Sequence, residues 1–333
     1  MHRPVLVAVA VLVAACTDAG PAPPRQPPAI AVQLARAAHA PPVPVPWWWD
    51  GPLPPGRDAC PQLAAGRLGD PGQAPISLAV VVIDADTLRL ADQTLISLTA
   101  GAAPQTASEG SQLPALRAAL APKLERQRAF LAACDLPDAP IDLMLAVAPD
   151  APQNTIMAAL ITARAAGVAR AFLAVAGGTK GRTWTPGGFT PDEVSLALHR
   201  QGDDWTARID ARPLPGSPGA SLAGLPAILG TRRPGCVNVE MRGDEAWAPL
   251  ISALDVVAGL GAHQFSLTSA GPEPAQARTA APPGDTVTLR AGELVAAFPL
   301  VPTQFIGVDD LDHLPPSHPC EALFVLRGEP PPP

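Results

Sequence analysis

Cysteines, histidines, carboxylates and indole rings are the groups in this chain whose types and spacing could do chemistry. The five cysteines stand at 16, 60, 134, 236 and 320. None belongs to a C-x-x-C pair, so the spacing supports neither a structural zinc site nor a thioredoxin-like redox site. The densest group of potential metal ligands is VDDLDHLPPSH, which gathers Asp309, Asp310, Asp312, His313 and His318. A metal needs three or more of them to converge; the run has no recognised ligand spacing and reads as a solvated loop. Asp150 and Asp244 recur at matching places before two apolar helical runs. An acid between a strand end and a helix N-terminus is stabilised by the helix dipole and the free N–H groups, which explains the recurrence without catalysis. The sequence contains no G-x-S-x-G, H-E-x-x-H, P-loop or G-x-G-x-x-G, and GGTKGRTWTPGG (177–188) lacks the Walker spacing and reads as a linker. The expectation is a non-enzyme with no catalytic residue, no metal and no cofactor. Trp47, Trp48 and Trp49 hold three of the six tryptophans and precede Asp50. Such a run could stack on sugar rings or sit at a bilayer interface; the plainer reading is that the rings clamp the preceding chain onto the domain that follows.

The N-terminus, MHRPVLVAVAVLVAACTDAG, has a basic start at His2 and Arg3 and an apolar run over 5–13. That run is too short for a bilayer, which takes roughly 20 residues, and the order is that of an export signal, here 1–15. Its end, Leu12-Val13-Ala14-Ala15-Cys16, resembles the lipobox of bacterial lipoproteins. The resemblance implies that the small residues admit the peptidase, that the Cys16 thiol takes the lipid (palmitate among the acyl groups), and that the mature protein is anchored to a membrane rather than spanning it. Thr17 after the cysteine favours the outer membrane by the sorting rule of enteric bacteria. The expected location is the cell envelope, on the periplasmic side. Export places Cys60, Cys134, Cys236 and Cys320 in an oxidising compartment. Of the three connectivities, Cys60–Cys134 and Cys236–Cys320 is favoured because each pair then belongs to one half of the chain; buried free thiols are the alternative. Net charge is -7 with dispersed acids, so no basic stripe offers itself to a nucleic acid.

These groups must be positioned by a folded body, and the chain reaches it through a proline-rich stretch. PAPPRQPP and HAPPVPVP suit neither a helix nor a central strand, and 16–59 reads as an extended tether. At ~3.1 Å per residue, roughly forty such residues reach on the order of 130 Å. With 44 prolines, no tyrosine and only Lys123 and Lys180 as lysines, proline and alanine are weak structural signals elsewhere. The regular pattern starts with ISLAVVVI (76–83) and TLRLADQTL from Thr87, both strands. Over 111–133, Leu113, Leu116, Leu120, Leu124 and Leu131 fall at helical spacing, with Pro122 expected to kink or split the helix. IDLMLAV (141–147) is a strand, followed by a turn at Pro149-Asp150. A helix then begins near Thr155, with Asn154 or Thr155 as cap, Ile156, Leu160 and Ala163 inward and Gly167 as the left-handed stop. ARAFLAV closes the unit as a strand, giving β-β-α-β-α-β.

The order then repeats. VSLALHR (194–200) corresponds to ISLAVVV, WTARIDARPL to the second strand, and SLAGLPAILG (221–230) to a shorter first helix. CVNVEMRGDEAWAPLISALDVVAGLGAHQFSLT aligns on the first unit at a constant offset of 94. Val237, Val239 and Met241 match Leu143, Leu145 and Val147; Asp244 matches Asp150; Leu250, Leu254 and Gly261 match Ile156, Leu160 and Gly167. One offset that preserves strand, turn, helix face and terminal glycine argues for a duplicated domain. Farther on, TVTLRAGELVAAFPL (286–300) reads as a hairpin turning at Ala291-Gly292 and ALFVLRG (322–328) as a last strand.

IDLMLAVAPDAPQNTIMAALITARAAGVARAFLAV resembles the end of the periplasmic domain of the ExbD/TolR family of biopolymer-transport proteins, and ISLAVVVIDADTLRL resembles that family's first hairpin. The resemblance covers 75–175 well and 194–268 more loosely. It implies an α+β fold with two tandem ExbD/TolR-like domains, each β-β-α-β-α-β with helices on one face of a mixed sheet. The resulting division is 60–176 for domain one, 177–192 linker, 193–269 domain two, 270–329 a C-terminal β extension and 330–333 a tail. Members of the family carry a transmembrane helix whose aspartate takes part in proton-driven work; here a cleavable signal stands in its place, with no acid between 5 and 15. The proton-driven role therefore does not transfer. What the resemblance leaves is docking to peptidoglycan or to another envelope protein.

Overall fold

The computed structural model describes residues 29–45, 77–99, 102–104, 107–108, 112–133, 135, 137–138, 141–179, 193–201, 204–209, 212–213, 218–219, 221–242, 246–270, 284–290 and 293–300. The first of these stretches departs from the expected tether. Ile30, Val32 and Leu34 alternate inward with exposed Ala31 and Gln33, so IAVQL forms β1 (Ile30–Leu34), followed by the short β2 (Arg36–Ala37) and β3 (Pro42–Pro44). The tether reading thus fails over 30–45, because a period-2 apolar pattern outweighs the surrounding prolines. Pro42 and Pro44 are tolerated because the ladder bonds fall on their neighbours: the Val45 N–H donates to the Glu293 carbonyl at 2.7 Å and the Ala297 N–H to that of Pro41 at 3.0 Å.

The first half of the body comprises β4 (Ser77–Ile83), β5 (Thr87–Leu90), β6 (Gln93–Ser97), α1 (Pro114–Ala133), β7 (Asp142–Val147), α2 (Gln153–Ala166) and β8 (Arg170–Gly177). Their sheet order is β8-β7-β4-β5-β6, with β4, β7 and β8 parallel and the other pairings antiparallel. α1 runs through Pro122 without a break. The ring is on the exposed side, where a carbonyl deprived of its N–H partner can be hydrated. α2 starts earlier than expected and is capped by Pro152 in extended conformation, with no side-chain cap; Asn154 and Thr155 lie inside it. Its inner face is centred on Ile156, Ala159 and Ala163, leaving Leu160 half-buried. Gly167 ends it at φ 103°, as expected of a left-handed stop.

The second half comprises β9 (Glu193–Gln201), β10 (Asp204–Ile209), β11 (Arg212–Pro213), α3 (Leu225–Leu229), β12 (Arg233–Arg242), α4 (Ala248–Gly259) and β13 (Gln264–Ala270). Its order, β13-β12-β9-β10-β11, and its strand directions are those of the first half. The register agrees residue by residue: Leu143 faces Ala171 and Leu145 faces Leu173, while Val237 faces Phe265 and Val239 faces Leu267. The first strands match less simply. Ser77 and Ser195 occupy equivalent places opposite Asp142 and Cys236, but a bulge between Ser77 and Val80 then sets Val81, not Val80, in the place of Leu198.

The remaining strands, β14 (Asp285–Leu289) and β15 (Leu294–Leu300), were expected to pair as a hairpin and do not. β14 pairs with β1 in a separate ribbon, whereas β15 enters the main sheet between β8, to which it is antiparallel, and β13, to which it is parallel. LVAAFPL is buried at six of its seven positions, the signature of a central strand rather than of an edge hairpin. β8 and β13 therefore run in opposite directions. At the neighbouring turns, Pro152 and Ala246, themselves 94 apart, bridge antiparallel to each other, as a local two-fold axis requires.

The fold is α+β: a large mixed sheet with few helices. The side chains of the four helices among the described residues join one core, which continues across both halves from Leu88 to Trp205 and includes Phe298 at the joint. A second, smaller core fills the opposite face of the first half, where Val80, Val82, Met144, Ala146, Phe172 and Ala174 lie under Ile30, Val32, Leu34 and Leu289 of the β1–β14 ribbon. With both faces covered, β7 is buried at every position.

Candidate functional site

The outer face of the second half is chemically unlike that of the first. Met144, Ala146 and Phe172 of the first half are answered, 94 positions later, by Asn238, Glu240 and Ser266. Val80 and Val82 are answered through the register by Ala197 and His199. Cross-strand pairing sets these groups in rows running Thr206, His199, Glu240 and Arg208, Ala197, Asn238, Ser266. Thr206 and Arg208 on β10 are exposed, His199 and Glu240 half-buried, and Asn238 and Ser266 buried. The Ser266 hydroxyl donates to the Asn238 side-chain oxygen at 3.2 Å. The apolar core of the first half's outer face draws no residue from β9 to β13.

Two histidine–glutamate pairs bracket this face. His199 Nδ1 lies 3.4 Å from Glu240 Oε2 at one end, and His263 Nδ1 lies 3.7 Å from Glu193 Oε1 at the other. His199 lies six residue steps along β9 from Glu193, roughly 20 Å at about 3.3 Å per step. The His199 contact lacks hydrogen-bond alignment, so it is an electrostatic approach only. Thr206, Arg208, His199 and Glu240 reach solvent and offer donors, acceptors and both charge signs over three strands, which suits recognition of a polar polymer or a polar protein surface.

The corresponding strand starts of the first half carry an ion pair. Asp142 is wholly buried and accepts two bonds from Arg170, at 2.8 and 2.7 Å, while the guanidinium lies 6.0 Å from the Phe172 ring centre. Burial outweighs the attraction of Arg170 and holds the Asp142 carboxyl above its ordinary range. At the equivalent places stand Cys236 and Gln264.

Of the residues singled out by sequence, Cys236 is fully buried, disulfide-bonded and on the outer face, in parity with Asn238; its partner lies outside the described residues. Cys16, Cys60, Cys134, Cys320, Trp47, Trp48, Trp49, Asp244 and the acidic run 309–318 lie outside the described residues, as does the strand expected at 322–328. Asp150 is exposed and does not cap α2. Among the described residues no three His, Cys, Asp or Glu side chains gather as a metal site, and no helix is long and apolar enough to cross a membrane. Sequence reasoning missed the polar face altogether, although polar residues at alternate positions in VSLALHRQ and DWTARI announce it. Compared with family models, curated proteins and solved structures, the chain matches none.

Proposed function

We propose that this chain is a bacterial envelope lipoprotein, anchored through Cys16 on the periplasmic side of the outer membrane, whose folded body is a non-enzymatic binding or scaffold module. In this reading the two halves are tandem ExbD/TolR-like domains, and the module docks peptidoglycan or another envelope protein. The repeated strand order and common register support the duplication. The observation that carries the binding role is the replacement of Val82 and Ala146 by the half-buried His199 and Glu240: one half closes its outer face with apolar groups and the other keeps polar groups at its surface. Duplication frees one copy to change a face that the other must keep for stability.

The soluble test protein must begin before Ile30, since β1 to β3 belong to the body. A chain with Cys16→Ser should leave the membrane fraction and lose palmitate labelling. Incubated with purified sacculi, it should co-sediment, and the double change His199→Ala with Arg208→Glu should reduce retention at least tenfold without changing the melting temperature. Equal retention of both proteins would remove the polar face from the reading. Hydrolysis of the sacculi in the same tubes would replace the non-enzymatic reading with that of an envelope enzyme.

A further inference from the structure

The outer face of the second half grades from closed to open. Ser266 on β13 is 1% exposed, Asn238 on β12 and Ser195 on β9 are 5% exposed, and Cys236 is fully buried, whereas Thr206 and Arg208 on β10 are exposed. A side chain on an open sheet face keeps much of its surface in water, so Ser266, Asn238 and Ser195 lie beneath a cover. Among the described residues no element supplies it: the helices pack on the opposite face, and the β1–β14 ribbon packs on β4, β7, β8 and β15. The closed side of the face is the side toward the joint. The disulfide of Cys236 narrows down which part of the chain lies there, since its partner's Cα must stand about 4.4–6.8 Å from that of Cys236. Cys134 follows Ala133, the end of α1, at about 3.8 Å, and α1 lies on the helical face of the first half, with the sheet between it and Cys236. Cys60 is strung between β3 and β4, and β4 is five strands from β12, roughly 24 Å at about 4.8 Å per strand. The chain beyond β15 starts much closer. Leu300 pairs with Phe265 and Phe265 with Val237, so it leaves the sheet two strands from the neighbour of Cys236, roughly 10 Å.

We infer that the C-terminal segment 301–333 is this cover, tied to β12 by a Cys236–Cys320 disulfide and laid over Ser266, Asn238 and Ser195. Cys16 is left to the lipid, a step that rests on the reading proposed above. The segment carries prolines at 302, 315, 316 and 319, so it cannot pair as a strand along its length, and its backbone groups need side-chain partners. Asn238 and Ser266 can serve as such partners where Met144 and Phe172, at the corresponding places of the first half, cannot. Each half then has its outer face closed by a piece of the same chain, the first by an apolar ribbon and the second by the C-terminal segment. The ligand of the docking face is thereby confined to the open end, where Thr206, Arg208, His199 and Glu240 stand.

Mass-spectrometric mapping of the non-reduced full chain with Cys16→Ser tests the tie. One linked peptide pair should contain Cys236 and Cys320. A pair that joins Cys236 to Cys60 or Cys134, or a free Cys236 thiol, overturns the proposal. A second measurement reads the cover itself. With Ser266→Cys, the introduced thiol should react with a maleimide at least tenfold faster in a chain ended after Leu300 than in the full chain, while the buried Trp205 and Trp247 keep their fluorescence. Equal rates would overturn the cover even with the disulfide in place, and the mapping decides alone should the shortened chain unfold. Neither readout uses sacculi, so failure here is separable from failure of the docking reading.

Discussion

Replacing Phe298 by alanine attacks the joint at its centre. The side chain is fully buried in β15 and meets Phe265 of β13 edge to face, with ring centres 5.3 Å apart and planes at 68°. Removing a buried phenyl group costs about 1.5–3 kcal/mol in transfer free energy, and the edge-to-face pair adds about 0.5–1.5. With the cavity left in a wall shared by both halves, the expected loss is about 3–5 kcal/mol. Urea unfolding followed by tryptophan fluorescence provides the assay, because Trp205 and Trp247 are buried in the second half. The wild type should unfold in one transition. Phe298→Ala should either lower its midpoint by an amount that reproduces this loss or split it in two as the halves uncouple. In a double-mutant cycle with Phe265→Ala, the coupling should be about 0.5–1.5 kcal/mol. A wild type that unfolds in two separate steps, or a single mutant that loses less than about 1 kcal/mol, refutes the claim that β15 makes the halves one cooperative body.

Other perturbations have definite directions. Pro122→Ala restores an N–H in mid-helix on the exposed side of α1 and should stabilise the protein by about 1–3 kcal/mol, read as a higher thermal midpoint. Cys236→Ser removes a cross-link and should cost about 2–4 kcal/mol in denaturant unfolding under oxidising conditions. Asp142 has a folded-state pKa above its unfolded value, so its contribution is fully present below the unfolded pKa and is lost as pH rises through the folded one. Asp285 is held down by its hydrogen bonds to Arg36, so its contribution is present above the unfolded pKa and lost as pH falls through the lowered one. Denaturation curves between pH 3 and 8 should therefore show Asp142→Asn removing a decline toward high pH and Asp285→Asn removing a decline toward low pH.

How legible was this architecture? Local periodicity located most strands and helices of both halves, but TLRLADQTL, read as one strand, is the antiparallel pair β5 and β6, and WTARIDARPL likewise holds β10 and β11, so each half is β-β-β-α-β-α-β rather than β-β-α-β-α-β; polar Asp92 and Gln93 mark a turn that the apolar alternation conceals. The constant offset from Leu143 to Val237 was enough to anticipate a common register. Failures came where a strand's partner is remote. LVAAFPL announces burial but says nothing of a place between β8 and β13, and the turn at Ala291-Gly292 invited a hairpin because neighbouring strands usually pair. IAVQL alternates plainly, yet proline content overshadowed it; the ladder geometry that excuses Pro42 and Pro44 exists only once β15 is alongside. The polar face was hidden for another reason. Asn238 and Ser266 look unremarkable one at a time, and their meaning comes from comparison with Met144 and Phe172 at the corresponding places of the other half.

The joint also fixes the order in which the body can be completed. β8 is made long before β15 and β13 shortly before it, and until residue 300 has been synthesised both lack the partner strand that joins them. A chain emerging in sequence must carry the β8 edge through the whole synthesis of the second half, add the β13 edge to it, and close both with its last described strand. Truncation upstream of Leu294 should therefore leave aggregation-prone halves rather than a smaller native protein.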